Sequence, residues 1–154
     1  MTADRIEKDI RIAAPVEQVW AVVTERRHME EWFTHGARLR ELDLRPGGRL
    51  VLDQEAMNAT TIARIVTLDP PHVFSYRWAM AYPGSEPTEE NSTLVEFRLT
   101  ADGDATLLQV TESGFANLVI PAEQEACAGP EAHSQGWPIY LEEIRKRTEE
   151  FALK

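Results

Sequence analysis

The spacing of apolar positions changes along the chain, and each change predicts a different kind of element. Ile6, Ile10 and Ile12 indicate a strand over residues 5–13 with one apolar face. Pro15 then opens a helix, since a proline in the first helical turn loses no hydrogen bond. The apolar face of that helix consists of Val16, Val19, Trp20 and Val23. A second short helix follows around Arg26–Thr34.

From Ala37 to Thr111 the pattern becomes one of alternating and β-branched positions, which predicts strands. The predicted strands are Leu39–Leu44, Arg49–Gln54, Thr60–Leu68, Val73–Met80, Thr93–Thr100 and Thr106–Glu112. The segment Arg45–Gly48, with the sequence Arg-Pro-Gly-Gly, predicts a hairpin turn between the first two of these strands. Asp69–Pro71 ends the third strand and separates it from the fourth. Consecutive hairpins make the sheet antiparallel.

The last element is a long amphipathic helix opened by Gly136 and Trp137. Its apolar stripe is Trp137, Leu141, Ile144, Thr148 and Phe151. Residues 116–131 give no clear pattern. Because an apolar sheet face needs a cover, and only this helix is long enough to supply it, we expect one α+β domain over residues 1–154. In it, a curved antiparallel sheet of about six to seven strands wraps the C-terminal helix, with two short helices after the first strand.

Composition and charge narrow the function classes. The 154 residues are 43% hydrophobic and 27% charged, typical of one globular domain. The net charge of −10 disfavours nucleic acids and anionic membrane surfaces as partners. No apolar run reaches the ~18 residues of a membrane span, and the first residues lack a signal-peptide core. Cys127 is the only cysteine and is interpreted as a structural thiol. We expect a cytoplasmic protein.

Several short motifs occur in an order that resembles a known superfamily. They are Ala14–Trp20, Trp32-Phe33, Pro46–Arg49, Leu68–Pro71, Phe74–Trp78, Thr111–Phe115 and Gly136-Trp137. Together they resemble the START-like (SRPBCC, helix-grip) superfamily, and within it the bacterial relatives of the C-terminal domain of the activator of Hsp90 ATPase. The resemblance implies a helix-grip fold and no shared catalytic residues. Members are described as chaperone activators, small-ligand binders or resistance proteins. Glu112 stands where relatives often have histidine.

The candidate binding site lies between the sheet and the long helix, where such folds form cavities. Its predicted members are Trp32, Phe74, Tyr76, Trp78, Phe97, Val110, Glu112, Trp137 and Leu141. The aromatic residues line a pocket in this interpretation, and the alternative is that they only fill the core.

Glu112 is in phase with Leu108 and Val110, so it is expected to face inward. Burial in apolar surroundings would raise its pKa and suit it to acid–base chemistry. The alternatives are a carboxylate that escapes to solvent or one paired with an arginine.

The sequence gives little support for a metal site, a nucleotide site or a catalytic triad. His28, His35, His72 and His133 lack metal-ligand spacing, and neither a phosphate loop nor a catalytic triad is recognisable. We therefore expect no metal, no cofactor and no assignable catalytic residue.

The favoured function is non-catalytic binding of a hydrophobic or aromatic small molecule by a monomer or homodimer. The alternatives are a chaperone- or partner-binding regulatory domain, and a cyclase- or hydrolase-type enzyme that uses Glu112 with Tyr76 or a histidine.

Overall fold

The computed structural model describes residues 5–33, 37–54, 59–124 and 129–152. His35 and Cys127, both singled out in the sequence, lie outside these residues. In chain order the elements are β1 (Arg5–Ile12), α1 (Val16–Thr24), α2 (Arg26–Trp32), β2 (Ala37–Leu42), β3 (Arg49–Gln54), β4 (Ala59–Asp69), β5 (Val73–Trp78), β6 (Thr93–Asp102), β7 (Ala105–Ser113) and α3 (Pro130–Ala152). Two single-turn 3₁₀ helices, Phe115–Asn117 and Ala122–Gln124, precede α3.

The strands form one sheet in the order β1-β7-β6-β5-β4-β3-β2, and every neighbouring pair is antiparallel. The first strand therefore pairs with the last, with Arg5 opposite Ser113. The register shifts between Leu39 and Glu41, and again between Ile65 and Thr67. Such irregularities bend and twist a sheet. The α+β fold and the two short helices after β1 are confirmed.

The hairpin between β2 and β3 depends on a glycine. A Cβ atom at Gly48 would lie 1.9 Å from the backbone oxygen of Asp43, closer than any real contact. Preceding it, Gly47 has a φ of +83°, a conformation that side chains disfavour. The predicted Pro-Gly-Gly turn is thus confirmed, because both glycines are required by the backbone path.

Helix α3 covers the apolar face of the sheet, and the core lies between them. Trp137, Leu141, Ile144 and Thr148 are each no more than 2% exposed. The stripe was wrong at its last position, since Phe151 is 38% exposed at the end of the helix. The start was also wrong: α3 begins at Pro130, well before Gly136. Although α3 has 23 residues, no helix of the described ranges is long and apolar enough to cross a membrane.

Candidate functional site

Three adjacent strands turn alternate side chains toward α3. Their register places Tyr76 of β5 opposite Val95 of β6, and Val95 opposite Glu112 of β7. These three side chains are fully buried. Glu112 therefore faces the interior, as its phase in the sequence predicted. It does not reach solvent, and none of its hydrogen-bond partners among the described residues is an arginine.

The Glu112 carboxylate is surrounded by hydrogen-bond donors from both layers of the fold. It accepts bonds from Trp78 Nε1 (2.9 Å), Thr93 Oγ1 (2.6 Å) and Trp137 Nε1 (2.9 Å). His133 Nδ1 lies 2.7 and 2.8 Å from its two oxygens. Both oxygens are thus satisfied, which is the condition for keeping a charge in the interior. We call Glu112, His133, Trp78, Thr93 and Trp137 the carboxylate cluster.

The cluster decides the ionisation of Glu112. Burial by itself raises the pKa of this carboxyl group, as the sequence suggested. The hydrogen bond and the charge of His133, with further hydrogen bonds from Thr93 and Trp78, outweigh burial and hold the pKa below its ordinary value. The expectation of a raised pKa was therefore wrong. Glu112 is an anion that orients its neighbours, and it is not poised to act as an acid.

The charge of Glu112 also fixes the direction of the hydrogen bond with His133. An ionised carboxylate can only accept hydrogen bonds, so His133 Nδ1 carries a hydrogen and donates it. The other ring nitrogen, Nε2, is buried and has no hydrogen-bond partner among the described residues. His133 is 8% exposed overall.

A pocket lies beside the cluster, between the end of β5 and the first half of α3. It measures about 120 Å³ and opens to the surface. Its walls are Trp78, Met80, Ala132, His133, Gly136, Trp137 and Tyr140. A cavity of about 150 Å³ holds one benzene ring, whereas drug-sized ligands occupy about 300–1,000 Å³. The pocket therefore has room for a single ring at most, and part of that ring would stay open to the surface.

Two tryptophans of the carboxylate cluster make the rigid wall of this pocket. The rings of Trp78 and Trp137 stack with centroids 5.8 Å apart and planes 29° apart. Because each indole N–H is tied to Glu112, the two rings have little freedom to rotate. Gly136 adds room, since a Cβ atom there would meet nothing within 4 Å.

The remaining predicted site residues lie deeper, away from the pocket. Trp32 donates its indole N–H to the backbone oxygen of Val22 at 2.7 Å and packs against Phe97. The other members of this deeper group, Phe74, Val110 and Leu141, are also fully buried core residues. The structure thus brings Trp78, Trp137 and Glu112 together and leaves the deeper residues to the packing of the core.

Tyr76 lies between the carboxylate cluster and the deeper group of core residues. It is fully buried and packs against Trp78 at 5.4 Å, but its hydroxyl has no hydrogen-bond partner among the described residues. Burial first, and then the nearby charge of Glu112, raises the pKa of Tyr76 well above its ordinary value. The hydroxyl therefore stays protonated.

Sequence reasoning missed His133, Thr93, Met80, Gly136 and Tyr140. One signal was available for His133: it precedes Trp137 by four residues, so both share a helix face if the helix begins early enough. For the metal question, the described residues contain no group of three His, Cys, Asp or Glu side chains able to hold an ion.

Solved structures with the same fold cover nearly the whole chain. Protein MLL2253 from Mesorhizobium loti superposes with a TM-score of 0.72 at 20% identity, covering 95% of this chain and 97% of that one. CalU16 from Micromonospora echinospora gives 0.63 at 25% identity, covering 93% and 73%. The Aha1 dimer from Colwellia psychrerythraea gives 0.70 at 16% identity, covering 96% and 97%. No curated protein matches the sequence.

The family assignment rests on the sequence itself. Residues 13–149 match the family described as "Activator of Hsp90 ATPase homolog 1-like protein". The match includes α1, the sheet from β2 to β7 and nearly all of α3. The chain therefore belongs to the activator of Hsp90 ATPase homolog 1-like family.

Proposed function

We propose that this protein binds a hydrophobic or aromatic small molecule, without catalysis, in the pocket between β5 and the first half of α3. The observation that carries the proposal is the stacked pair Trp78 and Trp137, which forms part of the pocket lining beside a buried charge. Sites of this composition, mostly apolar with a few oriented polar groups, are typical for small ligands.

The carboxylate cluster supports binding because it fixes the two tryptophan rings before a ligand arrives. Glu112 holds both indoles through their N–H groups, so a ligand does not have to order them. Side chains that are already fixed spare the complex about 0.5–1.5 kcal/mol each in ordering entropy. The same bonds occupy the oxygens of Glu112, which argues against this carboxylate as a catalytic base.

The size of the pocket restricts the ligand. About 120 Å³ takes one ring, and larger molecules such as polyketides, flavonoids or fatty acids would extend from the opening into solvent. The deeper aromatic residues do not offer the long internal tunnel that a fully enclosed lipid requires, since Phe74, Tyr76 and Phe97 are packed against one another.

Gly136→Leu tests the proposal because it fills the pocket from the helix side. Leucine is a better helix former than glycine, so the variant is expected to fold. Gln135→Leu, at the neighbouring exposed position, adds an apolar side chain of the same size away from the pocket and is the matched control. Tryptophan fluorescence reports on binding, since two of the four tryptophans line the site.

We expect saturable quenching by members of a panel of single-ring aromatics, flavonoids, polyketides and fatty acids. Gly136→Leu is expected to weaken it at least about tenfold, and Gln135→Leu to leave it unchanged. If no compound binds below about 100 µM, the partner-binding alternative replaces this proposal. Equal binding by both variants would place the ligand elsewhere.

A further inference from the structure

The outer face of the sheet, turned away from α3, carries three arginines side by side. Arg49 of β3 lies directly opposite Arg64 of β4, and Arg64 lies directly opposite Arg77 of β5. The residues next to them in each strand belong to the core, so these three side chains are on the outer face. We call them the arginine row. Because neighbouring strands are about 4.8 Å apart, like charges in such a row destabilise the sheet unless anions compensate them.

A carboxylate of the protein itself already lies on two members of the row. Glu86, in the loop between β5 and β6, places one oxygen 2.8 Å from Arg64 Nη2 and the other 3.2 Å from Arg49 Nη2. The Glu86 side chain is 49% exposed, and exposed ion pairs of this kind contribute little to stability. The row therefore has the geometry to hold carboxylates, and Glu86 is displaced from it at little cost.

The third member of the row, Arg77, has no carboxylate. Its hydrogen bond among the described residues is a long one, 3.4 Å from Nη1 to the hydroxyl of Ser92. Arg49 has a second carboxylate in Glu41, at 3.4 Å. Within the described ranges, three guanidinium groups thus share two carboxylates, and one positive charge of the row remains uncompensated.

Strand β2 enlarges the positive area on the same face. Arg38 and Arg40 flank the buried Leu39, and Arg40 pairs with Asp53 at 2.7 Å. This area is a local exception in a chain whose net charge is −10. Exposed charges act over about 8 Å at physiological ionic strength, so a segment that touches the row is governed by these arginines more than by acidic residues elsewhere.

Exposed apolar side chains next to the row favour a peptide over a small anion as its partner. Val66, two residues after Arg64, is 47% exposed, and Leu44, before the turn into β3, is 38% exposed. Their segments are joined by a hydrogen bond from Gly47 N to Ile65 O of 2.7 Å. Exposed apolar groups rimmed by polar residues mark contacts with other proteins, whereas an inorganic anion would use the arginines alone.

We propose that the arginine row docks an acidic peptide segment of a partner protein. Carboxylates of the segment displace Glu86 from Arg49 and Arg64 and also engage Arg77, while an apolar side chain of the segment contacts Val66. Guanidinium groups pair with carboxylates through two parallel hydrogen bonds, which gives such docking its specificity. The row lies on the face of the sheet opposite the pocket, so this interaction is independent of small-molecule binding.

Replacing the displaceable glutamate gives the sharpest test. The probe is a short fluorescein-labelled peptide of aspartates with one central leucine, and its anisotropy at physiological ionic strength gives the dissociation constant for the full chain. Glu86→Gln removes the internal competitor, so we expect about three- to tenfold tighter binding. Glu90→Gln, at an exposed position of the same loop, removes the same charge without freeing an arginine and should change binding by less than about twofold.

The uncompensated arginine gives a second pair of variants. Arg77→Gln is expected to weaken binding of the probe about three- to tenfold. Arg11→Gln, at an exposed position of β1 paired with Asp102, removes the same charge elsewhere on the sheet and is its control. Melting temperatures check that each variant folds, and either pair suffices if a variant of the other does not. Equal effects within a pair would show that only net charge matters and would overturn the proposal.

Competing ligands decide whether the partner is a peptide. We expect the probe to lose its affinity when its aspartates are replaced by asparagines, and to weaken when its leucine is replaced by aspartate. Inorganic pyrophosphate or a DNA oligonucleotide that displaces the probe at equal concentration would overturn the assignment to a peptide. If the probe does not bind below about 1 mM, the docking site is refuted, and the pocket on the other face of the sheet is unaffected.

Discussion

At the scale of single residues, two buried hydroxyl groups lie near the Glu112 carboxylate, and only one of them stabilises it by a hydrogen bond. Thr93 donates to Glu112 at 2.6 Å, whereas the Tyr76 hydroxyl lacks a partner among the described residues. We expect Tyr76→Phe to leave the free energy of unfolding unchanged or to raise it, because no bond is lost. We expect Thr93→Val, which deletes a donor to a buried charge, to cost about 1–3 kcal/mol.

Chemical denaturation of both variants provides the measurement. A loss in Tyr76→Phe as large as that in Thr93→Val would show that the Tyr76 hydroxyl has a partner, such as a buried water molecule.

The charge of Glu112 makes part of the stability depend on pH. Because the folded-state pKa of Glu112 is lowered, the unfolded chain takes up its proton first as the pH falls. The stabilisation is therefore complete above the ordinary glutamate pKa of about 4.3 and is lost as the pH drops through the lowered folded value. The titratable side chains that face this carboxylate are His133 and Tyr76.

Glu112→Gln isolates this contribution. At pH 7 the variant is expected to be less stable than the wild type, because an amide offers a donor where indole N–H groups require acceptors. The difference should narrow as the pH falls from 6 toward 3, measured by urea denaturation at each pH. The exposed Glu17→Gln variant controls for the removal of one negative charge. A difference that stays constant over this range would contradict an ionised Glu112.

At the scale of elements, the docking of α3 is the contact on which both the core and the site depend. Ile144 is fully buried, and Ile139 on the same helix is 54% exposed. We expect Ile144→Asp to cost about 3–5 kcal/mol because it buries an unpaired charge. Ile139→Asp, the matched control, should cost well under about 1 kcal/mol by helix propensity. Equal melting temperatures of the two variants would mean that α3 is docked differently.

The same helix shows where sequence reasoning stopped. The stripe from Trp137 to Thr148 was visible because apolar residues recur at helical spacing. The first turns were hidden because Gly136 and Pro138 are both unfavourable inside a helix, so Gly136 was interpreted as its start. Because those turns were not predicted to be helical, His133 was not recognised as the partner of Glu112.

At the scale of the whole molecule, the alternation of strand residues and the length of α3 were enough to predict the layers. Phe74, Tyr76 and Trp78 fell on one face, as did Leu108 and Glu112. The division of that face into a packed core and a small pocket was not predictable. It depends on which side chains of α3 meet the sheet, and contacts such as that of His133 with Glu112 are made only by the fold.

The pairing of β1 with β7 has a consequence for the protein while it is being made. Arg5 meets Ser113, so the first strand leaves the ribosome long before its partner has been translated. At a translation rate of about 5–20 residues per second, β1 remains unpaired for roughly five to twenty seconds, with its apolar side exposed. Contacts so distant along the chain also slow folding. Charged residues alternate with Ile6, Ile10 and Ile12 in β1. The unpaired strand is therefore not a wholly apolar edge prone to aggregation.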